Sequence, residues 1–244
     1  MPALIFEEFT CGHAEPAQMD AVWARGWRHF GAQFFRNSLH LHEGSWLTIV
    51  PLRIRLADFK PSKSQRRVLR KNVDVECRVE PLEITDELRA MFHRHKQRFT
   101  DNVPENLSDF LGGEPPSILQ EARPDSFVIQ SDNKMESPPQ VCETLMLSCF
   151  LNGQRVAASF LDVGLNAASS VYGIFEPEHR ARSLGIFTML KEIEYAQGRG
   201  MEFLYSGYAT HEPSHYDYKK HFTALEGFDW TTETWGAYGV IYAD

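Results

Sequence analysis

Residues 169–208, SSVYGIFEPEHRARSLGIFTMLKEIEYAQGRGMEFLYSGY, constrain the fold of this chain more than any other stretch. A run rich in β-formers ends at Glu176-Pro177, a helical pattern follows, and a second β-rich run, MEFLYSGY, closes the unit. Ile186, Met189, Leu190, Ile193 and Ala196 recur at helical spacing, and Gly198 or Gly200 ends the helix. Strands of this kind need a sheet, and the helix between them needs that sheet to bury its apolar face. The expected class is α/β (α+β).

The remaining elements agree with that class. SWLTIVPLRIRL (45–56) reads as a strand, KPSKSQRRVLRKN as a short helix entered through Pro61 and capping serines, and VDVECRVEPL (73–82) as a second strand. ITDELRAMFHRHKQRFT is helical, with Leu88, Met91, Phe92, His95 and Phe99 on one side. Residues 101–126, studded with proline and glycine, read as loops around a short helix at NLSDFL. DSFVIQS, CETLMLSCFLNGQRVAASFLDVG and ASSVYGIFEP supply three or four strands, with Asn152-Gly153 as a hairpin turn and SPPQ (137–140) as a loop tip. YDYKKHF begins a further helix. There is no internal repeat.

Charge narrows the partners. The chain of 244 residues carries a formal net charge of −8, against general nucleic-acid binding. Yet residues 60–71, KPSKSQRRVLRK, hold six basic residues and no acidic one, leaving 19 basic and 33 acidic elsewhere. A concentrated positive patch on an acidic body indicates a localised anion site; its plainer alternative is a solvated helix face. No run approaches the roughly 20 apolar residues of a membrane span, and MPALIFEEFTCGHAE has no basic region followed by an apolar run, so a secretory signal is not expected. Cys11, Cys77, Cys142 and Cys149 form no C-x-x-C pair, which fits a reducing cytoplasm.

Two motifs bear on chemistry. HEPSH (211–215) matches the H-E-x-x-H pattern of zinc proteases, but Pro213 breaks the helix that would bring both imidazoles to one face. The sequence is better read as a substrate-facing turn, with His211 or His215 as possible contacts. At 176–187, a strand feeding a helix through Arg182-Ser183-Leu184-Gly185 exposes backbone N–H groups able to hold a phosphate or an oxyanion. It resembles the loop with which GNAT acyltransferases hold coenzyme A, except that Phe187 takes the last small-residue position. Glycine for close helix–sheet packing is the plainer reading.

GWRHFGAQFFR (26–36), PLRIRLADFKPSKSQRRVLRKN (51–72), residues 169–208 and YKKHF (218–222), taken in order, resemble the aminoacyl-tRNA–protein transferases. These include the arginyltransferases and the bacterial leucyltransferases that act on N-terminal Asp or Glu. The likeness implies a GNAT-like acyltransferase domain (76–244) with a smaller N-terminal lobe (1–75) packed on it. It implies no cofactor, with aminoacyl-tRNA as co-substrate and a protein or peptide N-terminus as acceptor, in an N-degron pathway of protein degradation. An aminoacyl ester is already activated, so ATP and metal are not required. An α-amine with pKa about 7.7–8.0 is partly neutral at cytoplasmic pH. Positioning and oxyanion stabilisation then carry much of the catalysis.

On that resemblance, Lys63, Ser64, Gln65, Arg66, Arg67 and Arg70, with Arg182, Ser183 and Gly185, are expected at the tRNA. Tyr205, Tyr208 and Lys219 are expected at the substrate, Lys219 and Lys220 facing phosphate or an acidic side chain. Asp162 and Tyr172 are the catalytic candidates, Asp162 to receive or relay the amine proton; Tyr172 also joins Tyr205 and Tyr208 as a stacking or pocket residue. One departure stands out. The family's N-terminal lobe carries a four-cysteine cluster, and here Trp46 and Ile49 occupy its second pair, with only Cys11 and neighbouring His13 near the first. Apolar packing of Trp46 and Ile49 is expected in its place; a substitute site of Cys11, His13, His40 and His42 is the alternative. Three other functions remain open: the same chemistry on a small molecule or peptide, a coenzyme A-dependent N-acyltransferase, or a catalytically silent tRNA- or degron-binding protein.

Overall fold

The computed structural model describes residues 4–42, 44–99, 105–111, 140–214 and 216–241. The expected strand DSFVIQS, the loops over 112–126, most of SPPQ, and His215 lie outside them.

The chain before residue 75 contributes to two sheets. β1 (Phe6–Thr10), β2 (Arg28–Phe30) and β3 (Gln33–Asn37) form a small antiparallel sheet in the order β1-β3-β2. α1 (Pro16–Ala24) precedes β2. Its Met19 and Trp23 are buried with Phe34, Ala167 and Tyr205, and so join the small sheet to the large one. β4 (Leu39–His42) pairs with β5 (Ser45–Arg55), a long strand whose far half is interior to the large sheet. α2 (Lys63–Lys71) follows, started by a capping box: Ser62 Oγ accepts from Gln65 N (3.3 Å), and Gln65 Oε1 accepts from Ser62 N (2.8 Å).

β6 (Glu76–Pro81), the Thr85-capped helix α3 (Asp86–Lys96) and the short α4 (Ser108–Leu111) lead to β7 (Thr144–Leu151), β8 (Gln154–Val163) and β9 (Ala167–Phe175). Asn152 (φ 52°) and Gly153 (φ 79°) make the β7–β8 turn, both left-handed as a two-residue hairpin of this hand requires. α5 (Leu184–Gly198) crosses to β10 (Phe203–Thr210). YDYKKHF forms only a 3₁₀ turn, Asp217–His221, before β11 (Leu225–Asp229), β12 (Thr234–Ala237) and a terminal turn, α6 (Tyr238–Ile241). The early end of that helix is a correction: β11 begins four residues after the turn and draws the chain back into the sheet.

The large sheet has nine strands in the order β12-β11-β5-β10-β9-β8-β7-β6, with β4 paired to β5. Every pairing is antiparallel except that of β9 with β10. This is the mixed α/β class expected, in which one helix links the only parallel pair among the described strands. α5 lays Leu184, Phe187, Met189, Leu190, Ile193 and Ala196 onto the sheet, where Leu52, Ile54, Leu161 and Leu204 are also buried. Each such side chain stabilises the fold by roughly 1.5–3 kcal/mol. Leu88, Met91 and Phe92 of α3 cover Met146 and Phe160 on a second cluster.

Candidate active site

The site follows from how β9 and β10 meet. They pair at Phe203↔Ala167, Leu204↔Ala168 and Tyr205↔Ser169 and then part, although β9 runs on to Phe175 and β10 to Thr210. β10 is irregular against β5 between Tyr205 and Gly207, and Gly207 has φ +96°. A Cβ there would stand 2.7 Å from Arg28 Nη1 and 2.8 Å from Lys219 Nζ, so glycine is what lets both cations reach the strand. Arg28 Nη2 donates to the Ser170 carbonyl (3.2 Å), and Lys219 Nζ donates to the Tyr208 carbonyl (3.3 Å). Arg28 Nη1 is buried without a partner. Among the described residues neither cation has a carboxylate within ion-pair distance. Burial, and then the like charge of Arg28, bring Lys219 down to about 7, with Glu192 opposing them.

Glu192 projects from the inner face of α5 and is 1% exposed. Both its oxygens lack a hydrogen-bond partner, as do Ser159 Oγ and Ser206 Oγ. Burial pushes Glu192 up to about 7; the hydroxyls of Ser159 and Ser170, which lean toward it without completing a bond of good geometry, and the Lys219 charge pull the other way.

Asp162, at the end of β8, is equally buried but has both a hydrogen bond and an ion-pair partner. Its Oδ1 accepts from Thr144 Oγ1 (2.6 Å), and its Oδ2 lies 2.9 Å from His29 Nε2. His29 Nδ1 donates to the Gly31 carbonyl (2.9 Å), leaving Nε2 to face the acid. Burial alone lowers the His29 pKa; the charge and contact of Asp162 overcome it, and the result is raised. Cys142 completes a buried trio with ligand atoms within 4.8 Å of one another. The 2.9 Å contact is that of an ion pair, since two ligands of one tetrahedral zinc stand about 3.3 Å apart.

The aromatic candidates divide. Tyr208 packs on Tyr216 (centroids 5.2 Å apart), and Lys219 Nζ lies 5.1 Å from the Tyr216 ring and 5.8 Å from that of Tyr208. Tyr172 is stacked on Phe110 at 4.1 Å, and burial, then Tyr216, push its hydroxyl up to about 12. Tyr205 belongs elsewhere: it packs among Trp23, Phe203 and Trp235 in the cluster under α1. Tyr205 pairs with Arg53 and Tyr208 with Pro51, so the irregularity at residue 206 keeps both on one face of the sheet, and their surroundings differ by position along the strand.

The basic segment is exposed at Lys63, Ser64, Arg66, Arg67 and Arg70, whereas Gln65 is buried in its capping role. α2 is clipped to the turn before α5: Lys71 Nζ bonds the Ala181 carbonyl, and Asn72 Nδ2 bonds that of Arg182 (2.9 Å). The two phosphate-binding candidates of the sequence are thereby brought together. Arg182 spends its guanidinium on Asp74 at 2.8 and 2.9 Å, while Ser183 is left-handed (φ 57°) at the start of α5. Phe187 is 1% exposed and points into the core with Leu184 and Cys149, so it obstructs nothing at the helix end.

Among the described residues of the N-terminal lobe there is no four-ligand cluster. Trp46 is 63% exposed, against the expected apolar packing, and only Ile49 is buried, because residues three apart on a strand face opposite ways. Cys11 Sγ donates to the His13 carbonyl (3.0 Å), and His40 stacks on His42. Among the described residues these four side chains form no metal-ligating group. Residues 211–214 of HEPSH are not helical: His211 N donates to the Thr48 carbonyl (2.8 Å), and Glu212 Oε2 accepts from Thr48 N (2.9 Å). The motif extends β10's edge against β5.

Arg28, His29 and Glu192 were not singled out in the sequence. Glu192 had a signal, an acid at i+3 from Met189 on the buried face of an otherwise apolar helix; Arg28 had none beyond its place in GWRHFG.

Residues 88–229 match the family described as "Arginine-tRNA-protein transferase, C terminus". The chain is 29% identical over 217 residues to the aspartate/glutamate leucyltransferase of Marinobacter nauticus, covering 88% of this chain and 80% of that one. It is 34% identical over 187 residues to the aspartate/glutamate leucyltransferase of Xanthomonas euvesicatoria, covering 74% and 66%. Among solved structures it is similar to L-PGS from Bacillus licheniformis, with a TM-score of 0.44 and 13% identity over 85% of this chain and 53% of that one.

Proposed function

The chain belongs to the arginine-tRNA-protein transferase family, and on that premise we propose that it moves leucine or arginine from the 3′ end of a charged tRNA to the α-amine of a protein beginning with Asp or Glu. One observation carries the acceptor: the guanidinium of Arg28 and the ammonium of Lys219 converge at Gly207, part-buried and without an acidic partner among the described residues. Two adjacent like charges in such a place call for an anion. The side-chain carboxylate of an N-terminal Asp or Glu supplies it, in a bidentate fit for which arginine is suited.

The donor is held from outside. Lys63, Arg66, Arg67 and Arg70 on α2 neutralise phosphates of the tRNA acceptor arm, and the first turn of α5, which begins after Ser183 and includes Gly185, offers the positive end of its dipole. Tyr172 and Tyr208 form the walls against which the terminal adenosine or the transferred residue rests. The amine attacks the ester carbonyl; the new C–N bond forms as the bond to the ribose oxygen breaks. Four cysteines without a disulfide suit a reducing cytoplasm, and no helix among the described residues is long and apolar enough to cross a membrane.

Single-turnover transfer from radiolabelled leucyl-tRNA and arginyl-tRNA to peptides beginning with Asp, Glu, Arg or Ala tests the proposal. Label confined to the Asp and Glu peptides is the expected result and identifies the donor. Label on no peptide, with charged tRNA still bound, would refute the acceptor assigned here.

A further inference from the structure

We propose that Glu192 receives the α-ammonium of the acceptor's first residue and takes one of its protons, an inference that rests on the function proposed above. Arg28 and Lys219 account for one charge of an N-terminal Asp or Glu. Glu192 accounts for the other.

Glu192 is a buried carboxylate with no hydrogen-bond partner on either oxygen and no cation within ion-pair distance among the described residues. A carboxylate so placed is strongly penalised unless it is protonated or a ligand brings the missing charge. Nothing in the packing requires an acid there. Glutamine would fill the same space, and the neighbouring positions of α5, Met189, Ile193 and Ala196, are apolar.

Its place on α5 is the second observation. The hydroxyl it faces on β9 belongs to Ser170, the first residue beyond the last β9–β10 pair, and the carbonyl of that same residue holds Arg28. Glu192 therefore stands beside the point where the β9–β10 pairing ends, near enough to Lys219 for the two charges to interact. An N-terminal Asp or Glu bears an ammonium and a carboxylate a few bonds apart. Such a residue satisfies all three buried charges at once, which neither a neutral first residue nor a blocked amine does.

The chemistry follows. Deprotonated Glu192 accepts a proton from the bound ammonium, and the neutral amine attacks the ester carbonyl. As the ester C–O bond breaks, the ribose oxygen leaves with the second proton lost by nitrogen, and Glu192 returns its own proton to solvent. Atoms and charge balance without a co-reactant. An acid with a pKa of about 7 is well matched to an amine whose pKa is about 7.7–8.0. The groups facing Glu192 are Lys219 and Tyr218 from the 217–221 turn, Cys149 from β7, and the hydroxyls of Ser159 and Ser170, with Arg28 acting through Lys219. On α5 itself, Lys191 is paired with Glu194 (2.7 Å).

The test uses the full chain and the Glu192→Gln variant, in two measurements. In single-turnover transfer to an Asp peptide, E192Q should fall about 10²–10³-fold at pH 7. The deficit should shrink as pH rises past 8 and the peptide amine deprotonates unaided, and Glu192→Asp should recover part of the rate. In equilibrium binding, the wild type should prefer the free Asp peptide to its N-acetylated form at least tenfold, and E192Q should lose that preference. E192Q transfer within about threefold of wild type between pH 6 and 9, or an unchanged binding preference, would overturn the assignment. Should the wild type transfer to no acidic peptide, the proposed function fails by itself, and the binding ratio still decides Glu192.

Discussion

Two buried acids, one on a strand of the large sheet and one on the helix packed against it, are treated in opposite ways. Asp162 has the Thr144 hydroxyl hydrogen-bonded to one oxygen and the His29 imidazole at ion-pair distance from the other, and the histidine is itself fixed by the Gly31 carbonyl. Glu192 has neither. The first arrangement ties β8 to β7 and to the small N-terminal sheet, and its charges are spent in doing so. The second leaves an unpaired charge in the interior, opposite two unpaired cations. A buried acid that is satisfied acts as a tie; one left unsatisfied marks where a ligand enters. Proton transfer, expected at Asp162 from its place at a strand end, therefore passes to Glu192 in the proposed mechanism.

Removing the tie should have the largest effect. Asp162→Ala strands a buried histidine and should cost about 3–5 kcal/mol in urea denaturation, while the protein that remains folded transfers within about threefold of wild type. A loss of transfer without a loss of stability would reverse the comparison. The His29 contribution also has a pH signature. Its pKa is raised in the folded state, so the stability it adds is fully present below about pH 6.5 and is lost as pH climbs through the folded value.

On the unsatisfied side, Lys219→Met should lower kcat/KM for Asp and Glu peptides about 10²-fold, since a charge-assisted contact in a buried place is worth roughly 1.5–3 kcal/mol. An equal loss of charged-tRNA binding in the same variant would assign Lys219 to the donor instead.

Glu192→Gln should make the protein more stable, the reverse of Asp162→Ala. The folded pKa of about 7 lies above the ordinary 4.5, so the wild type loses stability as pH rises between those values. At pH 8 the variant should gain on the order of 2–3 kcal/mol, and below pH 4 the two should melt together. A variant that melts lower than wild type at pH 8 would show that Glu192 has a partner after all.

The smallest effect belongs to the exposed helix. Arg66→Glu with Arg67→Glu should weaken charged-tRNA binding about tenfold at physiological salt and flatten its salt dependence, without moving the melting temperature. Unchanged affinity would return α2 to the solvated face that its composition alone allows.

Much of the fold was legible in residues 45–99 and 141–208. There the alternation of β5, the hairpin at Asn152-Gly153, the Ser62 and Thr85 caps and the apolar stripe of α5 are local patterns, written in spacing and turn chemistry. The small N-terminal sheet and β11–β12 were not read, because short strands with mixed faces such as FEEFT and TWGA carry no period that stands above chance. The basic helix and its nearness to Arg182 were legible, yet Gln65 is turned inward by the capping box and Arg182 is held by Asp74. Tyr205 was expected beside Tyr208, but α1 and β12, which the local pattern does not place, bring Trp23 and Trp235 over it instead.

By itself the sequence determined the sheet class, the central helix, the basic patch and the family resemblance. Each depends on residues near one another in the chain or on a pattern preserved along it. Only the tertiary structure decided which charges are paired. Arg28, Glu192 and Lys219 come from β2, α5 and the turn after β10, and they converge because β9 and β10 part after three residue pairs and Gly207 has no side chain to keep the cations away. Whether a buried charge is a tie or a binding group depends on which other charges the fold brings within reach of it, and chain order carries no record of that distance.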